Sequence, residues 1–357
     1  MAASLSIKAP GRVCFFGDHQ DYLGLPVIAA TIDRYVFIEA TPIDTSFLRI
    51  DLLDFSRQET IALNETIDRL APRDYFRSAL RVLAREGIAI NNGYHIRIWG
   101  DIPIQAGLSS SSASVVAWIR LLLKIAAPER HFSNEQIAHW SYATEVLEFN
   151  EPGGLMDQYT IALGGLLCID TRTGDYQRLN TAWEQVVVVD SGIEKNTLNV
   201  LSHLKTNALK ALAMVKEKHP SFVLEHATAE DYHQTAKEVP KDLLPYWSAA
   251  IHNHLITQQA LEEFTAVNTD LSRISELMNA HQNILQNDLK NTPPEMVEMM
   301  QCALKNGAMG AKIVGSGGGG CFVVLTSKAK EAHLIDALKQ MGVKDAFSVT
   351  MIPPQHG

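Results

Sequence analysis

The chain has 357 residues, long enough for a sizeable core and, at roughly 100–200 residues per domain, for two lobes. Hydrophobic residues make up 46% and charged residues 20%, with a net charge of −9; that balance argues against a nucleic-acid binder working by phosphate neutralisation. A local site can still oppose the net charge and take an anion.

The first half alternates between two periodicities. Residues 30–41 and 47–53 are rich in β-branched and aromatic types and predict strands. An amphipathic helix is expected over 74–86, and the clean alternation of 93–99 predicts a half-buried strand. A loop over 101–108 leads into a serine run and an apolar helix to about 127, then a second helix over 134–149. Strands are expected at 166–170 and 185–190. The second half changes character, with helices at 196–218, 243–264, 271–289 and 294–306. In the third of these, Leu271, Ile274, Leu277, Met278, Ile284 and Leu285 form an apolar stripe that also holds His281, as a core-facing helix would. A strand, a glycine loop and a strand follow over 311–326, then a helix at 328–341 and a last strand at 346–351. The expectation is an α+β chain of two lobes, a mixed N-terminal one over 1–190 and a helix-rich C-terminal one over 191–357.

No apolar run is long enough for a bilayer, and the N-terminus lacks the basic-then-apolar signature of a signal peptide. Cys14, Cys168, Cys302 and Cys321 are scattered without metal-ligand spacing and read as free thiols in a reducing cytosol. The expected location is cytoplasmic, with neither membrane nor nucleic acid as partner.

Four segments hold residues suited to chemistry. At 103–112 a loop ending in Gly107-Leu108 enters a helix whose first turn is Ser109-Ser110-Ser111-Ser112. Helix N-termini expose unpaired N–H groups and partial positive charge, and small side chains let a phosphate approach them. Four serines exceed what capping alone requires. At 314–321, Val-Gly-Ser-Gly-Gly-Gly-Gly-Cys holds five glycines; their entropic cost points to close approach of a ligand or to a permissive hairpin. It is neither a Walker loop nor a dinucleotide fingerprint. At 12–22 a short strand ends in Asp18, His19, Gln20, Asp21 and Tyr22, side chains that suit hydroxyl groups or a polar turn. At 145–158, Glu145 and Glu148 lie on a helix, and the Pro152-Gly153-Gly154 turn presents Asp157, as a general base or as a helix cap.

The order of these segments resembles that of the GHMP kinases. Lys8-Ala9-Pro10-Gly11-Arg12 with Gly17-Asp18-His19 is similar to the first family motif, PIQAGLSSSSA over 103–113 to the second, and KIVGSGGGGC over 312–321 to the third. Residues 12–22 and PGGLMDQ over 152–158 are similar to galactokinase segments. The glycine loop and Lys195-Asn196-Thr197 look more like mevalonate kinase. Asp18 stands where galactokinases carry Glu, and Gln20 where they carry Thr.

The resemblance implies a two-lobed GHMP kinase fold and transfer of the γ-phosphoryl group of ATP, with Mg²⁺, to a hydroxyl of a small molecule. A galactokinase-like sugar kinase acting on the anomeric hydroxyl is the first expectation. A mevalonate-type kinase and a catalytically silent sugar- and ATP-binding sensor are the alternatives. By the same resemblance, Asp157 is the base and Arg12 keeps it charged and faces the phosphoryl group. Ser111 and Glu145 would hold Mg²⁺. Gly107, Leu108, Ser109, Ser110, Ser111, Ser112, Gly317, Gly318 and Gly319 surround the nucleotide. Asp18, His19, Asp21 and Gly154 contact the acceptor.

Overall fold

A computed structural model describes residues 4–180, 185–195 and 197–354. The described strands form two sheets. The first holds β1 (Leu5–Phe16), β2 (Val27–Ile43), β3 (Phe47–Leu52), β4 (Arg57–Ala62), β5 (Gly93–Gly100), β6 (Leu166–Ile169) and β7 (Tyr176–Leu179). Its path runs β4-β3-β5-β2-β6-β7, and β1 pairs with β2. All these pairings are antiparallel except β3 with β5.

Helices α1 (Tyr75–Arg85), α2 (Ser110–Ala126), α3 (Asn134–Glu145) and α4 (Met156–Leu163) accompany this sheet. Asp74 caps α1 by accepting from the Arg77 N–H at 3.1 Å, and Ser133 and Gln136 form a reciprocal capping box on α3. Helix α2 packs on β1 and β2 and against α1, α3 and α4. It is therefore apolar nearly all round, with Val115, Val116, Trp118, Ile119 and Leu122 buried.

The second sheet has the order β11-β8-β10-β9, from β8 (Gln185–Asp190), β9 (Ala308–Ile313), β10 (Cys321–Thr326) and β11 (Asp345–Thr350). Around it lie α5 (Thr197–Lys218), α6 (Ala229–Thr235), α7 (Leu244–Thr265), α8 (Leu271–Asn287), α9 (Pro294–Lys305) and α10 (Lys328–Met341). Strand β8 falls before the expected boundary at 190. It pairs on both edges, with β10 and β11, so the second sheet begins ahead of that boundary. A strand's sheet membership depends on partners over a hundred residues away, which its own composition does not name.

The lobes are joined closely. The Ile352 N–H donates to Thr31 O at 3.1 Å, and one apolar core runs from β1, β2 and α2 to Val186, Phe264, Met278 and Val323. His281 sits on the apolar stripe of α8 as expected, buried and stacked on Phe16 at 6.2 Å. Cys14, Cys168 and Cys321 are buried free thiols, and Cys302 is half-buried. Among the described residues, no helix is long and apolar enough to cross a membrane.

Candidate active site

Main-chain hydrogen bonds stitch together four distant segments and Asn291, which follows α8. Arg12 N–H donates to Leu108 O at 3.1 Å, Cys321 N–H to Ala106 O at 2.7 Å, Gly320 N–H to Ile193 O at 2.9 Å and Gly318 N–H to Asn291 O at 2.6 Å. The loop before α2, the end of β1, the glycine loop between β9 and β10, and residues 191–195 thus share one junction. A cavity of about 830 Å³ opens beside it.

Asp157, at the start of α4, reaches into the cavity with its side chain 29% exposed. Arg12 is buried and donates through Nε and Nη2 to Asp157 Oδ1, at 2.8 and 2.7 Å, while its Nη1 donates to Gly107 O at 2.5 Å. Burial works against the guanidinium charge, and Asp157 outweighs it, so the Arg12 pKa is raised. The other Asp157 oxygen accepts from Ser109 Oγ at 2.6 Å. Ser109 has φ 59° and makes no side-chain cap bond. The left-handed turn spends its hydroxyl on Asp157 instead of on the helix end. Gly107 needs its own shape: its φ is +90°, and a Cβ there would lie 2.7 Å from Val314 O.

Glu145 closes α3 in a buried position. Ser111 Oγ donates to its Oε1 at 2.7 Å and Gln158 Nε2 to its Oε2 at 2.6 Å. Burial raises its pKa, and the bonds from Gln158 and the serines offset this only in part. Among the described residues no Lys or Arg is ion-paired with it. A buried carboxylate with only neutral donors, beside a serine hydroxyl, fits a hard cation that keeps waters and phosphate oxygens as its other ligands.

Asp21 faces the same cavity. Its Oδ1 accepts from Tyr22 N–H at 2.8 Å and its Oδ2 from Gly154 N–H at 3.1 Å. Burial, then the nearby Asp157 charge, pushes its pKa up to about 6. Gly154 allows this approach: a Cβ there would sit 2.5 Å from Asp21 Oδ2. His19 lines the cavity but is tied inward. Its Nε2 lies 3.1 Å from Ser316 O and 2.9 Å from Asn291 Nδ2, and its Nδ1 lies 3.3 Å from Tyr22 Oη. Burial lowers its pKa to about 4.

Several expected contacts are engaged or enclosed by the protein itself. Asp18 is 1% exposed; Lys312 Nζ donates to its Oδ2, and Gly315 N–H to its Oδ1 at 2.8 Å. It lines the same cavity as Asp21, and these bonds also hold the first motif to the glycine loop. Gln20 is likewise internal, accepting from Thr257 Oγ1 at 3.2 Å. Both departures from the galactokinase pattern thus have partners within the protein. Leu108 is fully buried.

Gly317, Gly318 and Gly319 do not line the cavity; Gly315 and Ser316 do. A Cβ on Gly317 would meet Asn291 O at 2.5 Å, on Gly318 a Val200 methyl at 3.1 Å, and on Gly319 Glu194 O at 2.6 Å. Those glycines let protein segments pack together, a role that spacing alone does not separate from ligand approach. Asn196 lies outside the described residues.

Sequence reasoning passed over two parts of the cavity. One is an apolar region lined by Leu52, Phe55, Pro72, Tyr75 and Trp99, drawn from β3, β5 and the segments between. Nothing local marks those residues, because each reads as ordinary strand or loop. The other is Lys195, quoted only as part of a motif, which also lines the cavity.

Comparison with known proteins matches residues 74–165 to the GHMP kinases N terminal domain and 258–344 to the GHMP kinases C terminal domain. Residues 2–42 match the galactokinase galactose-binding signature. The chain is 27% identical to a mevalonate kinase of Pyrococcus furiosus, covering 94% of this chain and 92% of that one. It is equally 27% identical to a galactokinase of Thermococcus kodakarensis, covering 92% and 91%. In fold it is similar to the Lactococcus lactis galactokinase solved with galactose, with a TM-score of 0.86, 21% identity and coverage of 98% and 94%.

Proposed function

The chain belongs to the GHMP kinases, a family of phosphotransferases, and on that premise we propose that it transfers the γ-phosphoryl group of ATP to a sugar, at the anomeric hydroxyl. The observation that carries this reading is Asp157, fixed on one side by Arg12 and on the other by Ser109, and still open to the cavity. Such transfer is mainly a matter of positioning and charge. In this reading Asp157 accepts the proton of the attacking hydroxyl, and Arg12 orients Asp157 and stabilises charge on the transferring group.

Gly107, Ser110, Ser111 and Ser112 receive the phosphates at the start of α2, with Gly315 and Ser316 opposite them. Ser111 and Glu145 would hold Mg²⁺. When bound, that ion neutralises charge on the β- and γ-phosphates. The apolar region around Leu52, Phe55 and Trp99 takes the adenine. Asp21 accepts from a sugar hydroxyl, with its free lone pairs beside Asp157.

The sugar reading draws on the galactose-binding signature over residues 2–42. A mevalonate-type acceptor is the second reading, favoured by the likeness to the Pyrococcus enzyme across nearly the whole chain. ADP release measured over a panel of free monosaccharides and mevalonate tests both. Turnover with a hexose and none with mevalonate supports the first. The reverse result replaces it.

A further inference from the structure

One cation of the cavity has no acidic partner. Lys195 is half-buried, and no ion pair among the described residues includes it. Its ammonium makes one hydrogen bond, to Val314 O at 3.2 Å, leaving two of its three donors for other acceptors. Its position is narrow. A Cβ on Gly107 would lie 2.7 Å from Nζ, and a Cβ on Gly315 would lie 3.4 Å from Nζ and 3.6 Å from Arg12 Nη2. The ammonium therefore stands between the loop that enters α2 and the glycine loop, next to Arg12.

Arg12 is already committed to Asp157 and Gly107 O. Lys195 is not, and a cation partly withdrawn from water without an anion is costly. Arg12 from β1, Asp18 and His19 after β1, Asp157 from α4 and Cys321 from β10 are the charged and titratable groups around it. Asp18 and Asp157 are held by Lys312 and Arg12 respectively.

Resting on the kinase reading above, we propose that Lys195 binds the γ-phosphoryl group of the nucleotide, gripping it beside Arg12 as it leaves ADP for the acceptor oxygen. Transfer breaks the bond from the β,γ-bridging oxygen to phosphorus and forms one from the acceptor oxygen. The acceptor's proton goes to Asp157, and the ammonium keeps its own protons throughout. Burial, then the neighbouring Arg12 charge, lowers the Lys195 pKa to about 8. An arriving anion favours the charged form, so nucleotide affinity should be tied to pH in this range.

The test is calorimetry with Mg²⁺ and either the β,γ-imido analogue of ATP or ADP, at pH 7 and pH 9, on the wild type, Lys195→Met and Lys195→Arg. Lys195→Met should weaken the ATP analogue by roughly 10–100-fold and change ADP by less than about threefold. Lys195→Arg should recover most of the loss. The wild type should lose part of its preference for the analogue over ADP between pH 7 and 9, as free Lys195 deprotonates, and Lys195→Arg should not. The wild-type pH comparison and the Arg variant decide the matter even if the Met variant fails to fold. Equal effects on both nucleotides, or none, overturn the proposal. A loss confined to the acceptor's affinity also overturns it and assigns Lys195 to an acidic acceptor group. A wild type that binds neither nucleotide overturns the kinase reading itself.

Discussion

Lys312 and Asp18, 294 residues apart, form an ion pair with neither side chain exposed to solvent. Burial alone would raise the Asp18 pKa, but the charge and hydrogen bond of Lys312 work against it and the carboxyl is held below its ordinary value. The pair links the end of β1 to β9, and Gly315 N–H on the same carboxylate extends the link to the glycine loop. Lys312→Met should leave a buried carboxylate uncompensated and cost about 3–5 kcal/mol. The double variant Asp18→Asn with Lys312→Met should recover much of that loss. Denaturant melts of the two variants check this; equal losses would show that the pairing itself contributes little.

Asp157→Asn should lower kcat by about 10²–10⁴-fold, the usual effect of removing a general base. Asn retains the shape and can still accept from Arg12, so the fold and nucleotide affinity should survive. Steady-state rates beside nucleotide calorimetry separate the two effects. Wild-type turnover in the folded variant would make Asp157 a positioning group only.

Acceptor binding should depend on pH through Asp21. With a pKa of about 6, the carboxylate is protonated below that value and accepts a sugar hydroxyl less well. kcat/KM for the acceptor should therefore fall as pH drops through 6, and Asp21→Asn should flatten that limb. Stability runs the other way. A folded pKa above the unfolded value of about 3.9 means that Asp21 contributes stability below pH 4, lost as pH rises through 6. Asp21→Asn should accordingly raise the Tm more at pH 7 than at pH 4, which thermal melts at the two values check.

The cation requirement should rest on Ser111 and Glu145. Ser111→Ala should raise the Mg²⁺ concentration needed for half-maximal rate while leaving the saturating rate within about tenfold. Glu145→Gln should raise it further, since the variant removes the only carboxylate of the pair; loss of a hydrogen bond to a charged group costs about 1.5–3 kcal/mol. Chelation should abolish turnover in all three proteins. Mg²⁺ titrations at saturating nucleotide measure the shift, and an unchanged requirement in both variants would move the metal elsewhere.

The element order was legible in the sequence because each element's periodicity is local. The alternation of 93–99, the apolar stripe of α8 and the serine run opening α2 state their own geometry through side chains within a turn or a strand. The segment carrying Asp157 was marked in the same way by its Pro-Gly-Gly turn, and Arg12, Ser111 and Glu145 by their places in motifs. Tertiary structure decided what those side chains face. Asp18 and Asp21 are three residues apart in one polar cluster and both line the cavity, yet Asp18 is ion-paired with Lys312 while Asp21 accepts from main-chain N–H groups. The glycines of 315–320 look equivalent in a row, but only the first lines the cavity, while Gly317 and Gly319 make room for Asn291 and Glu194. Leu52, Phe55 and Trp99 come from separate strands and turns and meet only when the sheet forms. Lys195 has no ion-pair partner among the described residues, which a chain written in one dimension does not display. Local backbone preference is a property of neighbours in sequence, whereas burial and charge pairing are properties of neighbours in space.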